Sequence, residues 1–290
     1  MLKGIIIANQ DNGHNEHKVR RFFEEAPKFD IELSLIVNDG TLAKIKDGKT
    51  ITSIGDCDFV IYLDKDIYLA KLLESNGYKV FNDSSFIKLC DNKILTYISL
   101  TNQGINMPET YSAPLIFRGH IEENNYLFLE KVGQDLGYPL VVKRAYGSLG
   151  EGVFLANNLD ELKDIYSKNF KYPLLFQKYI QNSKGKTYRI IIIDGKIFGA
   201  FMRINNEDFR SNYGEGASSK KIELNEKERL FAEKIARKLN IKYAGLDVMI
   251  DKDGEPTLCE INSNAFFEEF EKVTGLNVAK AYLEMIKNNL

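Results

Sequence analysis

The chain has 290 residues, of which 44% are hydrophobic and 28% charged, a composition typical of two or three small globular domains. A net charge of -2 gives no overall attraction to nucleic acid or to an anionic membrane. Cys57, Cys90 and Cys259 are scattered singly, which excludes a disulfide framework and favours the reducing cytoplasm. Neither a signal peptide nor an apolar run of membrane-spanning length is recognised, so export and membrane insertion are not predicted.

The first part of the chain alternates short apolar runs with amphipathic helical patterns, which predicts a small α/β domain with a largely parallel sheet. The predicted strands are 4–8, 31–37, 59–63 and 79–81, and the predicted helices are 16–26 and 67–75. A helical stretch from Ser84 then carries Asp91, Asn92 and Lys93 towards a second region. We therefore place a domain boundary near residue 85.

Further strands dominate the rest of the chain, and the dipeptide Asp194-Gly195 between two of them is a strong hairpin signal. A helix over 226–239 is predicted to begin at a capping box of Asn225 and Glu228, with Leu230, among others, on its apolar face. The predicted strands are 139–143, 152–156, 174–179, 187–194 and 196–204, with a helix over 159–168.

Residues 243–262 predict two strands joined by a turn at 251–256. If Asp251 pairs with Pro256, Asp247 lies opposite Glu260, with Asn262 on the same face. Two opposed carboxylates are destabilising unless a positive group lies near them, and magnesium prefers such oxygen ligands. A surface hairpin with solvated carboxylates explains the spacing about equally well.

Lys143 ends a predicted strand and is followed by a loop that contains Gly147, Gly150 and Gly152. Such a loop can lay its backbone amides over phosphates, with the lysine as a point charge beside them. The loop lacks the Gly-Lys-Ser or Gly-Lys-Thr of a P-loop, and a plain flexible hairpin is an equal alternative.

Arg189 and Arg203 lie on the two strands of the predicted hairpin, and Arg210 follows within Phe-Arg-Ser-Asn. Guanidinium groups suit carboxylate and phosphate oxygens, so these residues are candidates for binding an acid and a transferred phosphoryl group. Without further context, ordinary surface arginines are the favoured interpretation.

The order of these motifs resembles that of ATP-grasp enzymes, and within them the glutamate ligases typified by the enzyme that adds glutamate to the C terminus of a ribosomal protein. The resemblance covers the chain from about Asn82 to its end. The motifs that carry it are N-D-S-S-F-I-K-L-C-D-N-K, the lysine with its glycine-rich loop, F-Q-K-Y-I, the arginine strand, F-R-S-N, A-G-L-D and C-E-I-N-S-N.

The resemblance implies an α/β fold, partly α+β: an N-terminal α/β domain (1–85), a central ATP-grasp region (86–183) and a C-terminal subdomain (184–290), with ATP between the last two. It implies Asp247, Glu260 and Asn262 as ligands of Mg²⁺, with Mn²⁺ as a substitute, and Arg189, Arg203 and Arg210 as catalytic residues. The implied ATP-binding residues are Lys93, Lys143, Gly147, Ser148, Gly150, Gln177, Lys178, Tyr179, Ile180, Thr187, Ser211 and Asn212.

The chain departs from the family pattern at three places. Lys178 replaces an acid at the adenine hinge, and Thr187 replaces the acid that binds the ribose. After Asn262, residues 263–267 replace the frequent Ser-Pro-Gly on the substrate side, which leaves the amine acceptor open.

The resulting prediction is a cytoplasmic ligase that activates a carboxylate as an acyl phosphate and joins it to an amine, glutamate or a similar amino acid. Its partners are ATP, the carboxylate donor and the acceptor, which is an amino acid or the C terminus of a protein; homo-oligomerisation is left open. One alternative is a small-molecule ligase of the lysine-biosynthesis or dipeptide type. The other is a nucleotide-binding regulatory protein that has lost turnover.

Overall fold

The computed structural model describes residues 1–9, 15–117, 119–211 and 217–290. The N-terminal part contains strands β1 (Leu2–Asn9), β2 (Ile31–Asn38), β3 (Ala43–Lys46), β4 (Lys49–Thr52), β5 (Phe59–Leu63) and β6 (Val80–Phe81), and helices α1 (Glu16–Glu25), α2 (Ile67–Ser75), α3 (Ser84–Asp91) and α4 (Lys93–Leu100). A parallel sheet has the order β2-β1-β5-β6, and β3 and β4 form a separate hairpin. Every residue of β5 is buried, as expected for a parallel strand covered on both faces.

The central part is an antiparallel sheet of order β7-β10-β8-β9, covered by two helices. Its elements are β7 (Thr110–Ser112), α5 (Glu123–Leu136), β8 (Leu140–Arg144), β9 (Val153–Ala156), α6 (Leu159–Asn169) and β10 (Leu174–Lys178). This sheet and both helices share their own hydrophobic core, in which Phe176 and Tyr166 are almost fully buried.

The C-terminal part is a five-stranded antiparallel sheet of order β13-β12-β11-β14-β15. Its elements are β11 (Lys186–Ile193), β12 (Lys196–Asn205), β13 (Ala217–Lys221), α7 (Glu226–Lys238), β14 (Tyr243–Ile250), β15 (Pro256–Asn262), α8 (Glu268–Thr274) and α9 (Val278–Asn288). One face packs on α7, and the other shares a core with α8, α9 and the N-terminal sheet. The N- and C-terminal sheets are therefore joined through one continuous core.

Most predicted elements are confirmed, with three corrections. The helical stretch from Ser84 is two helices, because the Asn92 side chain accepts the backbone N–H groups of Ile94 and Leu95 and starts a second helix at Lys93. Leu230 is half exposed rather than on the buried face of α7. The acidic run 266–271, with its interleaved phenylalanines, predicts an amphipathic surface helix, and the helix in the structure begins only at Glu268.

The predicted turn and cap are confirmed. Asp194 and Gly195 both have positive φ, 50° and 72°, as a tight hairpin of this type requires. Asn225 and Glu228 form the reciprocal capping box at the start of α7.

The register of β14 and β15 contains a β-bulge that orients the acidic residues. Ile250 pairs with Pro256 at the turn, yet Asp247 still lies opposite Glu260, because Cys259 is an extra residue in β15. The bulge also explains why Leu258 and Ile261, three positions apart, both face the same core. The Tyr97 hydroxyl of α4 supports this site, 2.9 Å from the Cys259 carbonyl oxygen and 3.1 Å from that of Leu258.

Replacing Tyr97 by Phe should therefore destabilise the protein by about 1–2 kcal/mol, because a buried carbonyl loses its donor while the ring is retained. Urea unfolding of the two proteins measures the difference. Tyr68→Phe is the matched control, since Tyr68 is 76% exposed. Equal stability of the Tyr97 variant and the control would show that the hydroxyl does not hold the bulge.

Candidate active site

Two adjoining cavities bring most of the predicted site residues together. The first lies between the central and C-terminal sheets. The predicted residues that line it are Lys93, Lys143, Gly147, Ser148, Gly150, Gln177, Lys178, Tyr179, Ile180, Thr187, Arg210, Ser211, Asp247 and Glu260.

Two buried lysines enter the first cavity from different elements. Lys93, the first residue of α4, lies 3.3 Å from a Glu260 carboxylate oxygen and donates to the Gly147 carbonyl at 2.8 Å. Lys143, on β8, has its ammonium 3.7 Å from the Cys259 sulfur. Burial alone would lower the pKa of Lys143, but the nearby Cys259, Tyr97 and Glu260 outweigh it and raise the pKa. Both lysines are thus available as cations beside the glycine-rich loop.

The loop between β8 and β9 has the backbone that its glycines predict. Gly147, Gly150 and Gly152 all have positive φ, and Leu149 adopts the same region at 57°. Arg210 holds the loop from the other side by donating to the Gly150 carbonyl at 3.1 Å, while it also pairs with Asp208. The loop is thus contacted by side chains of two separate segments, Lys93 on α4 and Arg210.

The residues at the departures from the family pattern have partners of their own. Lys178 pairs with Glu109 at 3.1 Å at the exposed end of β10. The Thr187 hydroxyl lies 2.5 Å from the Ser211 hydroxyl.

Gln177 donates to Thr110, and its buried side-chain oxygen has no hydrogen-bond partner among the described residues. Asn212, also predicted in this group, lies outside the described residues.

A row of charged side chains crosses the C-terminal sheet where the two cavities meet. Arg189 on β11 faces Asp247 on β14 and binds both of its carboxylate oxygens, at 2.6 and 2.8 Å. Asp247 in turn faces Glu260 on β15, and Asn262 lies with its amide nitrogen 3.3 Å from Asp247. The opposed carboxylates are therefore offset by two cationic groups of the protein, Arg189 and Lys93.

The second cavity extends from this row towards the N-terminal sheet and α1. Arg189, Arg203 and Asn262 line it, and it shares Ser148, Ser211, Asp247 and Glu260 with the first cavity. Arg203 donates to one Glu269 oxygen from two of its nitrogens, at 2.8 and 2.6 Å. Burial and the neighbouring Arg189 lower the pKa of Arg203.

The carboxylate row fits a divalent cation of the hard, oxygen-binding type. Asp247 and Glu260 supply carboxylate oxygens, and a carboxylate oxygen paired with arginine can accept a further contact. Asn262 turns its amide nitrogen to Asp247, so it would bind a cation at this position with its amide turned over. Within the described ranges, no cluster of three or more His, Cys, Asp and Glu has metal-binding geometry. A pair of carboxylates suits a metal that also binds phosphate oxygens.

Sequence reasoning missed the partners that hold these residues. Glu269 and Tyr97 contact a candidate residue or its strand from segments distant in sequence, whereas Asp208 pairs with Arg210 only two residues away and was missed although it is local. One signal was available: Gly245 in Ala-Gly-Leu-Asp precedes Asp247 by two residues, and a side chain there would meet the Arg189 side chain at 3.0–3.1 Å. A glycine on the same face as an acid predicts a close neighbour over it.

Comparison with known proteins assigns the family. The model of the RimK-like ATP-grasp domain matches residues 90–286 of this chain. The chain belongs to the RimK-like ATP-grasp family. The predicted fold and enzyme class, an ATP-dependent ligase that forms carbon–nitrogen bonds, are thereby confirmed, and ATP with a divalent metal is the cofactor set of such ligases.

This RimK-like chain is 33% identical to an uncharacterized protein of Mycoplasma genitalium over 78% of its own length and 79% of that protein. It is 31% identical to human N-acetylaspartylglutamate synthase A over 85% of its length, but spans 63% of that synthase. The crystal structure of a RimK domain ATP-grasp protein from Sphaerobacter thermophilus covers 98% of both chains with a TM-score of 0.72 at 18% identity, which shows a shared fold. Among the described residues, no helix is long and apolar enough to cross a membrane.

The positions of Lys143 and Arg203 predict different defects. Lys143 lies in the first cavity, which holds the residues implied for ATP binding. Lys143→Met should therefore raise the Kd for ATP about tenfold, which is the effect of losing one charged hydrogen bond. Arg203→Met should leave the Kd for ATP near that of the unchanged protein and lower kcat, because Arg203 lies only in the second cavity. Calorimetry and ADP release measure the two quantities. Equal loss of ATP affinity in both variants would contradict this division.

Proposed function

We propose that the protein joins a carboxylic acid to the amine of glutamate or a similar amino acid, through an acyl phosphate made with ATP. The observation that carries the proposal is the junction of the two cavities at Asp247 and Glu260. One cavity has lysines and a glycine-rich loop suited to phosphates, and the other has two arginines suited to an acid. A phosphoryl group at the junction would lie within reach of both.

In this proposal the nucleotide occupies the first cavity. Lys93, Lys143 and the amides of the loop bind its phosphates, and residues 177–180 contact the adenine. The unpartnered oxygen of Gln177 supports the assignment, because the exocyclic amine of adenine is a donor that would satisfy it. The Thr187 and Ser211 hydroxyls, and Asn212, are proposed to contact the ribose or the phosphates.

Asp247, Glu260 and Asn262 would hold the divalent cation, proposed as Mg²⁺, which neutralises phosphate charge when bound. The arginines are proposed to stabilise the remaining negative charge. An oxygen of the donor carboxylate attacks the γ-phosphorus, and the bond between this phosphorus and the bridging oxygen of the β-phosphate breaks. The products of this step are the acyl phosphate and ADP, and ADP remains bound. Arg189, Arg203 and Arg210 lie around this centre and offset the charge on the transferring oxygens.

The amine then attacks the acyl carbon, phosphate leaves, and the nitrogen gives up one proton to complete the amide. Neither step needs a nucleophilic side chain of the protein, because the positioning and electrostatic stabilisation of the reactants accelerate both steps. Glutamate as the amino acid is supported by the name of the human relative, N-acetylaspartylglutamate synthase A.

The direct test combines the protein with ATP, Mg²⁺, glutamate and a panel of mono-, di- and tricarboxylic acids labelled with ¹⁸O in their carboxylates. We expect ADP release that depends on both substrates, a product heavier than the acid by glutamate minus water, and one ¹⁸O in the released phosphate. Asp247→Asn is the matched inactive variant. Phosphate without ¹⁸O would exclude an acyl phosphate, and turnover with other amines alone would replace glutamate by another acceptor.

The metal assignment predicts that Glu260→Gln raises the Mg²⁺ concentration needed for half-maximal ADP release by about tenfold, because one of two charged ligands becomes neutral. Magnesium binding in the absence of nucleotide should be weak, since the cation dehydrates reluctantly and uses phosphate oxygens. Titration of activity with Mg²⁺ and calorimetry check both statements. An unchanged Mg²⁺ requirement would remove Glu260 from the ligand set.

A further inference from the structure

Lys18 is a buried lysine in the wall of the second cavity. It lies on α1, is only 1% exposed, and lines the same cavity as the carboxylate row. A buried ammonium is costly unless it is paired with an anion. The groups around Lys18 therefore indicate whether the cavity can bind an anionic ligand.

Among the described residues, no carboxylate lies within salt-bridge distance of Lys18. Its ammonium contacts the side-chain oxygen of Asn264, lies 3.5 Å from the Asn264 carbonyl oxygen, and sits 4.8 Å from the centre of the Phe266 ring. An ammonium has three donors, and two neutral oxygens leave one of them without an acceptor here. Burial, and to a lesser degree the neighbouring Lys65, lower the pKa of Lys18 to about 7.

Five of the six acids that line the same cavity have hydrogen-bond or ion-pair partners, and the sixth, Glu151, is exposed on the glycine-rich loop and has no ion pair among the described residues. Asp64 accepts from the amides of Asn9 and Asn38, at 3.0 and 2.8 Å. The buried or partly buried pairs are Asp247 with Arg189, Glu260 with Lys93 and Glu269 with Arg203, and Glu268 pairs with Lys272 at the exposed rim. Lys18 is thus without an anionic partner among the described residues, and an anion supplied from outside would stabilise its charged form.

The place of Lys18 indicates which substrate supplies the anion. The donor carboxylate must lie at the junction with the first cavity, beside Arg189 and Glu260. The amine must approach the acyl carbon from the other side, so the acceptor lies between the junction and α1. We propose that Lys18 binds a carboxylate of the acceptor amino acid that takes no part in bond formation, and so selects acidic acceptors; this inference rests on the proposed function.

The test measures binding, not turnover, so that it stands apart from the ligase assay. Calorimetry with ADP and Mg²⁺ present compares glutamate with glutamine and with glutamate α-amide, each of which lacks one carboxylate charge. The unchanged protein should bind glutamate at least about tenfold more tightly than one of the two amides, the effect of one charge-assisted hydrogen bond. Lys18→Met should abolish that preference, and Lys18→Arg should retain part of it.

Two further variants separate charge recognition from a structural role. Lys272→Met removes a cation from the rim of the same cavity, where Lys272 pairs with Glu268, and should keep the preference. Asn264→Ala removes the neutral partner of Lys18 but not its charge, and should also keep it. If Lys18 only anchored the segment at Asn264, Asn264→Ala and Lys18→Met would lose the preference together, which would overturn the inference.

Persistence of the preference in a folded Lys18→Met protein would also overturn it, as would equal binding of the three ligands by the unchanged protein. Absence of turnover in the ligase assay, together with a preference that Lys18→Met removes, would sink the ligase proposal and leave the carboxylate site intact.

Discussion

The bidentate ion pair of Arg189 and Asp247 is the interaction on which the site depends. Both groups are buried, and each of the guanidinium contacts is at hydrogen-bond distance, so neither charge is left uncompensated. The pair joins β11 to β14 at the middle of the C-terminal sheet, directly beside Glu260. The orientation of the acidic row is therefore a property of the sheet itself, not of a loop.

This arrangement also balances the opposite charges where the two cavities meet. Lys93 and Arg189 offset the two opposed carboxylates, so the row can exist before any cation binds. On the substrate side, Arg203 is held by Glu269, whose helix α8 packs into the core shared with the N-terminal sheet. The position of Arg203 in the second cavity therefore depends on the packing of α8 in the core shared with the N-terminal sheet.

Much of the fold could be predicted because burial leaves a direct mark on the sequence. Strand 59–63 and helix 67–75 were predicted with their observed bounds, since one is apolar throughout and the other is periodic. The opposition of Asp247 and Glu260 was also predicted, but by the wrong route: the predicted pairing of Asp251 with Pro256 is off by one residue, and the bulge at Cys259 restores the register. The apolar pair Leu258 and Ile261 was the sequence sign of that bulge.

What could not be predicted depends on contacts between distant segments. Asn264 is 246 residues from Lys18, and no local pattern indicates that the two meet. The contacts of the glycine-rich loop are of the same kind: Lys93 binds the Gly147 carbonyl and Arg210 binds the Gly150 carbonyl. In the proposed nucleotide site, phosphate oxygens and loop carbonyls compete for these two side chains, so ATP binding is an exchange of acceptors. Under that proposal the affinity is a difference between two sets of contacts, and breaking the contacts of the loop costs part of the binding free energy.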